Sequence, residues 1–124
     1  MRKSAGLSII ELVGVLVILA LLGAMAVPLF SGMQRDALTA AKNGSTNSIK
    51  SALAISIAEL KALPTVTQLA ANVDDARLEA RPEPGGVRVS IDGQAYLAPT
   101  YTDAACTQPT RAVTDTVACV GRIP

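Results

Sequence analysis

The sequence predicts an α+β fold: one long N-terminal α-helix, apolar in its first half and amphipathic in its second, packed on a small antiparallel β-sheet. Three observations lead there. Residues 12–30 are nineteen uncharged, mostly apolar residues in a row. Ile49, Leu53, Ile57 and Leu60 then recur at helical spacing, with Ala52 beside them and Lys50, Glu59 and Lys61 elsewhere on the wheel. From Val87 onward, alternation broken by turn residues replaces the helical period. At 124 residues the chain has room for one small domain plus an appendage.

The first six residues carry Arg2 and Lys3 and precede Leu7, Ser8, Ile9, Ile10 and Glu11. As a helix, residues 12–30 reach about 28 Å, close to the hydrocarbon thickness of a bilayer. Arg2 and Lys3 place the N-terminus on the cytoplasmic side and the rest of the chain on the other. Glu11 is the anomaly, because a carboxylate in lipid costs roughly 2.5–3.5 kcal/mol on insertion scales and needs a partner. Gly23 and Pro28 weaken the same helix, since Pro28 has no N–H to give the carbonyl of Ala24; membrane helices also simply tolerate such residues. A competing reading takes Ala24, Met25 and Ala26 as the small-residue end of an ordinary secretory signal cut before Val27.

Residues 43–48 (Asn-Gly-Ser-Thr-Asn-Ser) are poor helix formers, and a bend or weak spot is expected there. The helix should stop by Leu63, because Pro64 disfavours helical geometry in the residue before it. A continuous helix over residues 7–63 would be roughly 85 Å long, more than a small globule can bury. Half of it must be covered by membrane or by other copies of the chain. Residues 64–75 read as a connecting loop with a short helical turn near residues 67–71, and residues 82–86 as a turn. Val87, Val89 and Ile91 alternate with Arg88 and Ser90 as a half-buried strand, Asp92-Gly93 is a type I′ hairpin signal, and residues 94–97 return. A last strand is expected over residues 112–120. A sheet this small needs the 49–60 helical stripe against one face.

Little in the composition points to chemistry. Half the residues are hydrophobic, concentrated in the first thirty positions. Eleven bases against ten acids become nine against ten if Arg2 and Lys3 are removed, so no basic balance indicates nucleic acid. There is no histidine, neither cysteine has an activating neighbour, and no catalytic residue, metal site or cofactor is expected. Asp74-Asp75 reads as a solvated loop rather than a cation site, and Gly85-Gly86 as a turn, since no phosphate-loop pattern surrounds it. Phe30, Tyr96 and Tyr101 are too few to stack single-stranded DNA, and Arg111 and Arg122 are isolated surface cations. Cys106 and Cys119 enclose twelve residues. As a disulfide that loop is worth on the order of 3 kcal/mol; the alternatives are two free thiols or a partial metal site, for which no other soft ligand exists.

The N-terminal arrangement resembles the type IV prepilin leader and helix, of the type IVa kind. Members carry a short basic leader ending in glycine, a cleavage point, an apolar first mature residue and a glutamate at the fifth mature position. Those features fall on Arg2 and Lys3, Gly6, Leu7 and Glu11. The commonest first mature residue in the family is Phe, where this chain has Leu7. Pro28 matches the family's recurrent helix proline, and Cys106 and Cys119 its C-terminal cysteine pair, which in the family closes a surface-exposed loop.

The resemblance implies a pilin-like fold divided into a leader (residues 1–6), a transmembrane and filament-core helix (7–30), an amphipathic half (31–63) and a sheet head with a C-terminal disulfide loop (64–124). It implies cleavage between Gly6 and Leu7 and N-methylation of Leu7 by a prepilin peptidase/methyltransferase. It further implies pairing of Glu11 with the Leu7 amine of a neighbouring copy, and local melting near Gly23 and Pro28 in the filament. The expected partners are the bilayer before assembly, an inner-membrane assembly platform and further copies of the chain. The expected location is the bacterial inner membrane, single-pass, then an extracellular pilus serving adhesion, motility or DNA uptake. A type II secretion pseudopilin shares residues 1–30, although the cysteine pair tilts against it. A soluble binding domain released by cleavage after Ala26 is the third reading.

Overall fold

The structure is a computed structural model, describing residue 6 and residues 8–74 and 78–124. It divides into two compact units, Met1–Ala37 and Leu38–Pro124. The elements in chain order are α1 (Ile9–Leu60), α2 (Val66–Asp74), β1 (Arg81–Glu83), β2 (Gly86–Ile91), β3 (Gln94–Tyr101) and β4 (Cys119–Val120). The strands form one antiparallel sheet in the order β1-β2-β3-β4. The chain is thus α+β, a long N-terminal helix packed on a small antiparallel sheet.

Helix α1 is continuous for 52 residues, with Pro28 inside it. The bend expected at residues 43–48 does not occur. Their composition costs a helix roughly 4 kcal/mol relative to alanine, so something outside local propensity must hold them. The hydroxyls of Thr46, Ser48 and Ser51 donate to the carbonyls of Lys42, Gly44 and Asn47, which satisfies the side chains but does not itself favour a straight helix. The answer is packing, since Ser45, Thr46 and Ile49 are all buried. The helix ends at Leu60, short of Leu63, where Lys61 turns left-handed (φ 51°).

The buried face of α1 also differs from the expected stripe. Ile49 and Leu53 are buried with Ala52 and Ser56, but Ile57 is 37 % and Leu60 47 % exposed. The cause is a polar clasp. Ser56 is fully buried, donates to the Ala52 carbonyl (2.8 Å) and receives the Asn72 amide of α2 (2.5 Å). Holding Ser56 under α2 turns Ile57, about 100° further round, toward solvent.

Residues 66–74, expected as a loop with a single helical turn, form the nine-residue α2. Its start is a reciprocal capping box: Thr65 N–H donates to Gln68 Oε1 (2.9 Å) and Gln68 N–H to Thr65 Oγ1 (3.3 Å). Val66, Leu69, Ala70 and Val73 then fall on one buried face.

In the sheet, the β2–β3 hairpin follows the expected alternation and register, pairing Val87 with Ala98 and Val89 with Tyr96. Asp92 (φ 52°) and Gly93 (φ 76°) make the turn with both residues left-handed, as type I′ requires. β3 runs on to Tyr101, four residues past the expected end, because β4 pairs with Thr100 and Tyr101. Arg81, Pro82 and Glu83, of which the last two were expected in a turn, are the edge strand β1, where a proline's missing N–H is harmless. Gly86 sits at φ 154°, and a Cβ there would lie 2.0 Å from the Ala98 carbonyl oxygen, so only glycine fits.

The last strand is two residues, not the nine expected over 112–120. Those residues have other partners. The carbonyls of Val113 and Asp115 accept the Thr67 and Val66 N–H groups at the open end of α2, and Val117 N–H donates to the Pro64 carbonyl (2.8 Å). Capping a helix end consumes the backbone that a strand would have needed. The core of this unit joins Ile49, Val66, Leu69, Val73, Val87, Val89, Ala98 and Val117, each 1 % exposed or less.

Candidate processing and assembly segment

Of the motif-bearing positions other than the cysteines, Gly6, Glu11 and Pro28 lie among the described residues. Gly6 is exposed and outside any helix, and Leu7, with Arg2 and Lys3, lies outside the described residues. Ser8 caps α1. Its hydroxyl accepts the Glu11 N–H (3.2 Å), while Glu11 Oε2 accepts the Ser8 N–H (3.0 Å). This is a capping box of the pattern Ser-x-x-Glu. The carboxylate that seemed to lack any partner therefore has one inside its own helix, placed at the N-terminal end where the helix dipole favours negative charge. The Ser-x-x-Glu spacing of Ser8 and Glu11 is the sequence signal for this cap.

Every large apolar side chain from Ile9 to Met33 is at least 50 % exposed. The helix is long and apolar enough to cross a bilayer, with a mean hydropathy of 2.7 over its most apolar stretch, none of it buried within the chain. Pro28 is accommodated without a break, and its carbonyl accepts the Ser31 hydroxyl (3.0 Å). Glu11 and Pro28 share this one helix, whereas Cys106 and Cys119 belong to the other unit.

Cys106 and Cys119 are bonded, with Cα atoms 5.5 Å apart. Most of the enclosed loop is exposed, but two of its side chains turn inward. Thr107, Gln108 and Pro109 face solvent, but Thr110 and Val117 are buried, and the Thr110 hydroxyl meets that of Thr100 at 2.7 Å. Two aspartates organise its turns. Asp103 accepts the Thr107 hydroxyl and the Thr107 and Gln108 N–H groups, and the Thr107 hydroxyl first, then Gln108, hold its carboxyl below the ordinary value. Asp115 accepts the Arg111 (2.8 Å) and Ala112 (3.0 Å) N–H groups, which lower its carboxyl likewise. Sequence reasoning missed both; aspartates are among the residues whose side chains commonly bond nearby backbone N–H groups in turns. Asp75 lies outside the described residues, so the reading of the Asp74-Asp75 pair does too. Among the described residues, no three His, Cys, Asp or Glu side chains group as a metal site would need.

No protein-family model matches the chain, and no curated protein or solved structure does either.

Proposed function

We propose that this chain is a structural subunit of a type IV pilus, held in the inner membrane by residues 7–30, cleaved after Gly6, N-methylated at Leu7 and assembled into a helical filament. One observation carries the reading: a glycine-ended basic leader directly before an apolar stretch, residues 7–30, whose single charge is Glu11, five residues past Gly6. Supporting it, the helix leaves all its large side chains from Ile9 to Met33 without cover in the single chain. At about 25 cal/mol per Å² such a surface is strongly driven to burial, first in lipid and then among copies. In a filament core, Glu11 exchanges or supplements its Ser8 N–H partner with the Leu7 amine of a neighbour. A buried charge pair adds little net stability, but breaking it costs several kcal/mol, so it selects register.

Intact-mass measurement and N-terminal sequencing of the exported protein test the reading. A mature chain beginning at N-methylated Leu7 is expected, with uncleaved precursor accumulating in the membrane when Gly6 is replaced by a bulky residue. A species beginning at Val27 would instead assign the chain to secreted binding domains. Glu11→Ala should insert normally, since a costly charge is gone, and fail to assemble. Filaments of this variant at wild-type abundance would sink the assignment of Glu11 to assembly.

A further inference from the structure

Residues 121–124 follow β4 directly and are tied to α1 by two hydrogen bonds. Gly121 N–H donates to the Pro99 carbonyl (2.8 Å), setting the direction in which the segment leaves the sheet. Ile123 is buried in the core, and its N–H donates to Thr46 Oγ1 (3.3 Å). The same Thr46 hydroxyl donates to the Lys42 carbonyl (2.9 Å). Lys42 closes the circuit: its ammonium donates to the Pro124 carbonyl (2.9 Å) and lies 4.7 Å from the centroid of the Tyr96 ring, within cation–π range.

These contacts fall at residues 43–48, a stretch of α1 with poor helix propensity: Lys42 lies directly before it and Thr46 within it. At the other end, the segment is rooted in a strand of two residues, too short to hold by pairing alone. The Ala118 and Gly121 N–H groups on either side of β4 donate to the Tyr101 and Pro99 carbonyls, and Cys119 within it is bonded to Cys106. Disulfide, β4, residues 121–124 and the weak turn of α1 therefore form one mechanical series.

We propose that residues 121–124 are a strap, anchored through β4 by the Cys106–Cys119 disulfide, that keeps α1 helical across residues 43–48 and lets that stretch melt when the strap is released. The strap is a conformational device of the head, independent of what the apolar half of α1 assembles into. Its release changes α1 from a continuous rod to a helix interrupted within residues 43–48, without disturbing the β2–β3 hairpin.

Amide hydrogen exchange on the full-length chain in detergent micelles tests this. Lys42→Met and Thr46→Val each remove one strap contact while barely changing helix propensity. Either should raise exchange at amides 46–52 about tenfold or more, with β2 and β3 amides at wild-type rates, as a local opening requires. Replacing both cysteines by serine should produce the same rise at 46–52. Unchanged protection at 46–52 in Lys42→Met and Thr46→Val overturns the strap, and so does equal acceleration in β2 and β3, which would mean general destabilisation. If the double cysteine variant opens residues 102–118 while 46–52 stay protected, the anchoring by the disulfide is refuted.

Discussion

Residues 9–33 and residues 45–60 belong to one helix yet are stabilised in opposite ways. In the first stretch, every large apolar side chain is at least half exposed. In the second, Ile49 is fully buried and even Ser45, Thr46 and Ser56 are excluded from solvent. The apolar stretch is helical with a capped start although it carries Gly14, Gly23, Pro28 and Gly32, and no large apolar side chain in it is buried. The second stretch has poor helix formers and is helical because a sheet, a second helix and the 121–124 segment press on it. Helicity alone says nothing about which force maintains it.

The sharpest way to break the comparison is a matched pair of truncations. Ile49→Ala should lower the stability of the 38–124 unit by roughly 3 kcal/mol, the usual cost of a core isoleucine, whereas Leu19→Ala should stay within about 0.5 kcal/mol. Denaturant melts of the full chain in micelles, read on near-ultraviolet tyrosine signals, measure both; Phe30 apart, the aromatics are Tyr96 and Tyr101 in β3. Equal losses would mean the two regions unfold as one.

Changing Cys106 and Cys119 to serine should cost about 3 kcal/mol by the chain-entropy argument, and it should do so only in the 38–124 unit. The intact oxidised protein should resist alkylation without reductant and weigh about two hydrogens less than its reduced form. Free thiols in protein taken from assembled material would contradict the bonded loop.

The two capping boxes allow a finer cut. Thr65→Ala removes the α2 cap, and Ser8→Ala the α1 cap; each is worth about 1 kcal/mol. The first should show as a shift of the head's melting midpoint. The second should leave that midpoint unmoved and loosen only the first turn of α1, read by exchange at Glu11 and Leu12.

The smallest effect is on pH. Asp103 and Asp115 both titrate below their ordinary value of 3.8 in the folded chain. Their contribution is complete above that value and is lost as pH falls through the lower folded values. The wild-type loop should therefore lose protection in acid, and Asp103→Asn together with Asp115→Asn should flatten the dependence. An unchanged slope in the double variant would place the acid sensitivity elsewhere.

Much of the architecture was legible because local pattern and tertiary demand agreed. Asp92-Gly93 required two left-handed residues and received them, and Val87 and Val89 faced the core as their alternation implied. The length and apolarity of residues 12–30 needed no partner to be read. The misses share a different cause. Residues 43–48 were read by propensity, which packing overrode. Ile57 was assigned to the core by its spacing, but the Asn72–Ser56 clasp chose the neighbouring face. Residues 112–118 have β-compatible sequence, yet their carbonyls are taken by the start of α2. The two capping boxes were present as Ser-x-x-Glu and Thr-x-x-Gln and went unused.

The sequence by itself determined that a long helix would begin close after Gly6, carry Glu11 near its start and present an apolar surface. Those properties follow from side-chain chemistry and backbone period within one segment. Only the tertiary structure decided where that helix ceases to depend on its own composition, which of its faces is buried and how the last residues return to it. These depend on hydrogen bonds between positions far apart in the chain, such as Ile123 with Thr46 and Lys42 with Pro124. No local pattern encodes such pairs, because each exists only once the sheet has brought its two ends together.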